Sequence, residues 1–238
     1  MNSWRSIGIV GGFGPRASSY FYRLLLDKCS NKYGSVFDSD YPKIFLASLA
    51  SKGFTETGEI IDEISIMEIN EAIAFFDNMN INIIAFPCNS IFAYYNKLRS
   101  INPNSEIINL PKVLAQSAAK FEAKKVVILC SQGLRDSLTY NKYFLEKNID
   151  PFYPEESLQK IINQLIIEVM GNTYSIGTRE YFHNIINDLS TCYDRVIIAC
   201  TELSVMLDTR NISDCIIDSC NELANEALLR AYCNESGC

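Results

Sequence analysis

Short runs of consecutive apolar residues, each cut off by glycine, proline or a polar residue, recur along the 238-residue chain with helix-length stretches between them. A strand that is apolar at every position has both faces covered, which is the condition of a parallel sheet flanked by helices. Ile7–Val10, Ile44–Ser48, Ile81–Pro87, Lys125–Cys130 and Arg195–Cys200 read as such strands, with shorter ones at Ile107–Leu110 and Cys215–Ile217. Helical patterns fall between them: about Arg16–Asn31, Ile60–Asn78, Phe92–Ser100, Lys112–Phe121, Arg135–Asn148, Leu158–Met170, Arg179–Leu189 and Cys220–Tyr232. In the second of these Ile66, Ile69, Ile73 and Phe76 recur at helical spacing. Strand and helix alternating from end to end specify an α/β fold. The pattern restarts after Pro111, so two similar lobes are expected, each a mainly parallel sheet flanked by helices. The first lobe is expected to span residues 1–111 with 212–238 returning to it, and the second 112–211.

Two of the runs end on a cysteine followed by small or polar hydrogen-bonding residues: Ile83-Ile84-Ala85-Phe86-Pro87-Cys88-Asn89-Ser90 and Val196-Ile197-Ile198-Ala199-Cys200-Thr201-Glu202. A buried parallel strand that stops there delivers the side chain to the carboxyl edge of its sheet, where open α/β folds bind ligands. Two thiols delivered in this way can face each other across a cleft and move a proton between them. Taken singly, either cysteine reads as a small buried hydrophobe; the repeated pattern is what singles them out. Both precede a helical stretch, so the amides that follow are expected to stabilise a thiolate.

Composition narrows the function classes. A formal net charge of -7 without a Lys/Arg run argues against nucleic acid as a partner. No apolar stretch approaches the ~20 residues of a membrane helix, and Met1–Arg5 leads directly into the first strand, leaving no room for a signal peptide. A cytoplasmic protein with reduced thiols is expected. The nine cysteines include no C-x-x-C pair and there is one histidine, His183, so a structural metal is not expected. Cys233 and Cys238 lie in a short polar tail and read as exposed thiols.

Gly12-Phe13-Gly14-Pro15-Arg16-Ala17 is formally a G-x-G-x-x-A match between a strand and a helix. No acidic residue ends the second strand to hold a ribose, and Pro15 removes one amide that would face a pyrophosphate. A dinucleotide is therefore not expected. A tight loop with Pro15 in the helix's first turn, its amides open to a small carboxylate, fits better; each glycine by itself also fits a plain strand-to-helix turn.

Together these segments resemble the aspartate/glutamate racemase superfamily. Gly8-Ile9-Val10-Gly11-Gly12-Phe13-Gly14-Pro15 is similar to that family's Gly-Gly-Met-Gly-Pro opening, Pro87-Cys88-Asn89-Ser90 to its Cys-Asn-Thr motif, Cys200-Thr201-Glu202-Leu203 to its Cys-Thr-Glu-Leu motif and Asp218-Ser219 to a common Asp-Ser pair, all in the family's order. The resemblance implies a cofactor-independent racemase acting on an amino acid, with no cofactor or metal and with the active site in the cleft between two pseudo-symmetric lobes. By the same likeness Cys88 and Cys200 are the catalytic thiols, and Gly12, Phe13, Gly14, Thr55, Glu56, Asn89, Ser90, Thr201 and Glu202 are the substrate-binding candidates. A homodimer follows from the resemblance alone.

Two departures bear on specificity. A histidine usual in the first cysteine motif is replaced by Phe92. An Asp-Arg pair that in aspartate racemases meets a side-chain carboxylate is absent from Ser51–Thr57, where Thr55 or Glu56 stands instead, and a lysine sometimes found after the second lobe's long helix is missing around Val169–Gly171. Lys52 or Arg179 is a candidate substitute. These changes favour a side-chain pocket not tuned for a second carboxylate, and Glu56 favours a neutral or cationic substrate; its plain alternative is a solvated loop residue. An isomerase or lyase of a small carboxylate, and a non-catalytic ligand-binding relative, are the competing classes.

Overall fold

A computed structural model of the chain describes residues 4–51, 62–100, 104–207 and 214–233. It contains two four-stranded, all-parallel sheets. The first is built from β1 (Ile7–Gly11), β2 (Ile44–Ser48), β3 (Ile83–Ala85) and β4 (Glu106–Ile107) in the order β2-β1-β3-β4. The second is built from β5 (Lys125–Leu129), β6 (Asp150–Phe152), β7 (Arg195–Ile198) and β8 (Ile216–Asp218) in the order β6-β5-β7-β8. The two orders are one topology used twice. Helices α1 (Pro15–Tyr33), α2 (Asp62–Asn78), α3 (Tyr95–Ser100) and α4 (Leu110–Lys120) connect or follow the first set of strands. Helices α5 (Gln132–Ser137), α6 (Asn141–Leu145), α7 (Glu156–Gly171), α8 (Ile176–Ser190), α9 (Thr201–Met206) and α10 (Ser219–Tyr232) complete the chain. Among the described residues no helix is long and apolar enough to cross a membrane.

Burial follows the apolar runs. β1, β3 and β8 are buried throughout, and β5 and β7 are buried after their first residue. The edge strands β2 and β6 are partly exposed. On the first sheet the Phe76 ring of α2 lies against β1 at Gly8, where a Cβ would stand 2.9 Å from the ring. The last helix packs on α1, α4 and β3. Its end is tied down by the Arg5 N–H donating to the Ala231 carbonyl at 3.1 Å, by the Arg230–Glu106 pair at 2.6 Å and by Tyr232 stacked on Tyr33 at 4.1 Å.

Several local expectations are corrected. Strand β6 was not legible because Pro151 interrupts it; as an edge strand it pairs on one side only, so the missing N–H costs no ladder bond. The single helix expected over Arg135–Asn148 is two short ones, broken where Leu138 adopts a left-handed conformation with φ 49°. The strand expected at Ile107–Leu110 is Glu106–Ile107, since Asn109 caps α4 by accepting the Lys112 N–H at 3.1 Å and Leu110 and Pro111 form its first turn. The helix expected from Phe92 starts as a 3-10 turn over Ser90–Tyr94 before α3. Cys233 is disulfide-bonded rather than a free thiol.

Phe76 is fully buried between α2 and β1. Phe76→Ala is expected to lower the unfolding free energy by about 3–5 kcal/mol, measured by urea denaturation; a loss below about 1 kcal/mol would show that the helix does not rest on this ring.

Candidate active site

In an open parallel sheet the ligand crevice forms beyond the carboxyl ends of the strands, where the connections diverge to opposite sides. In the first sheet that point lies between β1 and β3, and in the second between β5 and β7. The segments leaving those strands are Gly12–Gly14, Cys88–Ser90, Cys130–Ser131 and Cys200–Glu202. Direct contacts join them. Thr201 Oγ1 donates to the Pro87 carbonyl at 3.1 Å, and the Ser90 and Ser131 hydroxyls are 3.3 Å apart. Tyr140 Oη donates to Asn89 Oδ1, and Asn89 Nδ2 donates to Ser219 Oγ at 3.1 Å. The two crevices are thereby one site.

The glycine loop is shaped by sterics. Gly12 and Gly14 have φ of 96° and 93°, and a Cβ on Gly12 would overlap the Leu49 carbonyl. The Gly12 N–H donates to Ser18 Oγ at 3.1 Å, and that hydroxyl donates to the Gly14 carbonyl at 3.0 Å. The Gly12 amide therefore faces into the loop, against the expectation that it is open to a carboxylate. Phe13 is buried in the core of the first lobe. Gly14 is where the second lobe arrives: a Cβ there would overlap Glu202 Oε1.

Both cysteines follow the third strand of their sheet, and they are 8 % and 7 % exposed. The Cys88 sulfur accepts the backbone N–H groups of Ser90 and Ile91. Cys200 is the N-cap of α9 and its sulfur accepts those of Glu202 and Leu203. The Cys200 thiol also donates to Glu202 Oε2 at 3.2 Å, and Thr201 Oγ1 lies 3.3 Å from the same oxygen. Glu202 is itself buried and has no Lys, Arg or His partner among the described residues.

The helix-start amides act on the two sulfurs in the expected direction, favouring the thiolate. The amides are aimed at the sulfurs, but burial outweighs them. It pushes the Cys88 thiol up to about 12, with the Glu202 charge adding to the effect. Cys200 is driven well above the ordinary thiol range by burial, then by the Glu202 charge and by the hydrogen bond to its carboxylate. Burial raises the Glu202 carboxyl too. Behind these groups Asp218 caps α10, accepts from Ser204 Oγ and from the Asn221 N–H at 2.9 Å, and is pushed by burial up to about 6.

Thr55, Glu56 and Lys52 lie outside the described residues. Phe92, at the family's histidine position, is buried and packs on Tyr95. Arg179, Arg16, Met170 and His183 line a cleft of about 1180 Å3 between α1 and the α7–α8 side of the second lobe. Arg16 Nε reaches across it to the Met170 carbonyl at 3.4 Å, while the Arg179 guanidinium lies over the Tyr174 ring. Sequence reasoning missed Ser131 and Tyr140, and gave Ser219 no role beyond its place in the Asp-Ser pair. Ser131 was discoverable, since Val126–Cys130 is a third apolar run ending on a cysteine followed by a serine; Tyr140 comes from the turn before α6 and carries no local signal.

The Asp/Glu/hydantoin racemase family model matches residues 10–227 of the chain. The broad specificity amino-acid racemase RacX of Bacillus subtilis (strain 168) is 27 % identical over 226 residues, which cover 93 % of this chain and 96 % of that protein. The aspartate racemase of Picrophilus torridus superposes with a TM-score of 0.80 at 25 % identity, covering 95 % of this chain and 94 % of its own. An aspartate racemase homologue from Pyrococcus horikoshii OT3 superposes with a TM-score of 0.77 at 20 % identity, covering 95 % and 99 %, and shares the fold.

The Asp218 carboxyl titrates near 3.8 when solvated and at about 6 in the fold. Between those values the native protein holds a proton the unfolded chain has lost, so this group's contribution to stability falls as pH rises from about 4 to about 6. Asp218→Asn removes that dependence. The stability difference between variant and parent is expected to move in the variant's favour by about 2–3 kcal/mol from pH 4 to pH 7, read from urea unfolding at each pH. A pH-independent difference would mean that the buried carboxyl titrates like a solvated one.

Proposed function

The chain belongs to the Asp/Glu/hydantoin racemase family and is an isomerase, and we propose that it interconverts the L and D forms of an amino acid with Cys88 and Cys200 as a thiol/thiolate pair. Racemisation takes the α-hydrogen from one face of a carbon and returns a proton to the other, and one base cannot easily serve both faces. The observation that carries this reading is the placement of the two cysteines. They occupy equivalent positions after the third strand of two sheets of one topology, and the charge of one carboxylate, Glu202, acts on both.

In the forward direction the thiolate takes the α-hydrogen: the C–H bond breaks and an S–H bond forms. The carbanion then takes the proton of the opposite thiol, whose S–H electrons stay on sulfur. In the reverse direction the roles exchange, so the pair titrates as a unit. The chain's own groups supply the stabilisation this reading needs, without a cofactor: hydrogen bonds to the substrate carboxylate strengthen as it gains enolate character. We assign these to the Ser90 and Thr201 hydroxyls, the remaining Asn89 amide hydrogen and the backbone around Phe13 and Gly14. Glu202 takes the α-ammonium, which supplies the countercharge that the buried carboxylate lacks among the described residues. Aspartate or glutamate is the default substrate, with neutral or basic side chains admitted by Thr55 and Glu56. A cytoplasmic location is proposed from the chain's composition, and a homodimer on the family resemblance alone.

The test is α-hydrogen exchange followed by NMR in deuterated water with a panel of L-amino acids, for the parent protein and for Cys88→Ser and Cys200→Ser. Exchange accompanied by D-isomer is expected, with each variant slower by about 10²–10⁴-fold, the usual worth of one acid/base group. Absence of exchange with every amino acid would move the assignment to a small-carboxylate isomerase or a ligand-binding protein.

A further inference from the structure

The two thiols have matching surroundings in most respects. They stand at equivalent positions of equivalent sheets, are buried to nearly the same degree, and each sulfur accepts two backbone N–H groups from the turn that follows it. One contact breaks the match. The Cys200 thiol donates to Glu202 Oε2 at 3.2 Å, whereas among the described residues Cys88 donates to no carboxylate. The acceptor is held in place: Thr201 Oγ1 lies 3.3 Å from the same oxygen, and the other carboxylate oxygen fills the space left by the absent side chain of Gly14. The carboxylate's charge has no cationic partner among the described residues to dilute it.

We infer that Glu202 fixes the resting protonation of the pair, holding a proton on Cys200 so that Cys88 is the thiol that ionises first. The inference rests on the two-thiol reading above. Ionising Cys88 releases its proton to solvent and leaves a thiolate facing two amides, with the Glu202 charge acting on it but no hydrogen bond to that carboxylate lost. Ionising Cys200 breaks the S–H···O bond and places a thiolate against a carboxylate in a site with little water, where like charges repel strongly. The free enzyme is then poised for the enantiomer whose α-hydrogen faces Cys88. That hydrogen passes to Cys88, and the Cys200 proton passes to the carbanion. The resulting Cys200 thiolate becomes tolerable only while a substrate or product ammonium sits on Glu202. Because the enantiomers have equal free energies, kcat/KM is the same in both directions; the asymmetry of the pair divides between kcat and KM.

Thiol order can be measured without turnover. The full-length protein is treated with iodoacetamide across a pH series, and modification of Cys88 and Cys200 is followed separately by peptide mass spectrometry. The inflection of each rate with pH is read, because access to the two sulfurs differs. In the parent the Cys88 inflection is expected at least one pH unit below that of Cys200. In Glu202→Gln, which keeps the shape and removes the charge, the Cys200 rate at a fixed pH below its inflection is expected to rise about tenfold or more, closing the gap. Glu202→Asp keeps the charge and is expected to leave Cys200 the later to ionise. Coincident inflections in the parent, or an unchanged gap in a folded Glu202→Gln, would overturn the inference. If that variant does not fold, the two parent profiles decide by themselves. Failure of the racemase reading registers separately, as absent α-hydrogen exchange whatever the order of the thiols.

Discussion

A buried carboxylate with no cationic partner among the described residues sets the terms for everything around it. Glu202 accepts from the Cys200 thiol on an oxygen that also lies 3.3 Å from the Thr201 hydroxyl, and it presses against Gly14 of the opposite lobe. Burying a charge without a counterion is expensive, and proteins hold such groups where a ligand supplies the missing charge. Burial raises both neighbouring thiols, and the Glu202 charge adds to the effect. Under the proposed reaction, a substrate ammonium on Glu202 supplies a countercharge and makes a thiolate cheaper to form.

The repeated topology explains how the parts come to face each other. Each sheet has strand order 2-1-3-4, and each sends a cysteine-bearing turn from its third strand across from a small-residue turn of its first. The two halves differ where chemistry requires it. Gly12–Gly14 leaves room for a carboxylate side chain from the other lobe, while Cys130–Ser131 in the equivalent place contributes a hydroxyl to Ser90. Asn89 is shared among three parts of the chain, through Tyr140 and Ser219. A duplicated scaffold thus carries an unequal pair of thiols.

The fold class was legible because an apolar run with both faces buried has few alternatives to a parallel strand, and seven such runs stand in the sequence. The two cysteines were legible for the same reason: each ends a run. Strand β6 was not, since Pro151 obscures a strand that needs partners on one side only. Nor was the break at Leu138, where a branched residue takes a left-handed conformation that its local sequence does not ask for. At the site, the amides flanking Cys88 and Cys200 and the direction of their effect were legible, but the net shift of the thiols was not. Sequence shows that an amide follows a sulfur; it does not show how much water remains there, and desolvation is the larger contribution.

The sequence by itself determined the α/β class, the recurrence of apolar strands with cysteine endings and the glycine-rich first turn, because periodicity and strand-end chemistry are local properties of a chain. Only the tertiary structure decided which of those groups meet. The Thr201–Pro87, Ser90–Ser131 and Tyr140–Asn89 bonds and the packing of Glu202 on Gly14 all join residues far apart in the chain. Their energies depend on distance and burial, which no stretch of sequence carries: two lobes must close on each other before a carboxylate loses its water and a thiol acquires its neighbour.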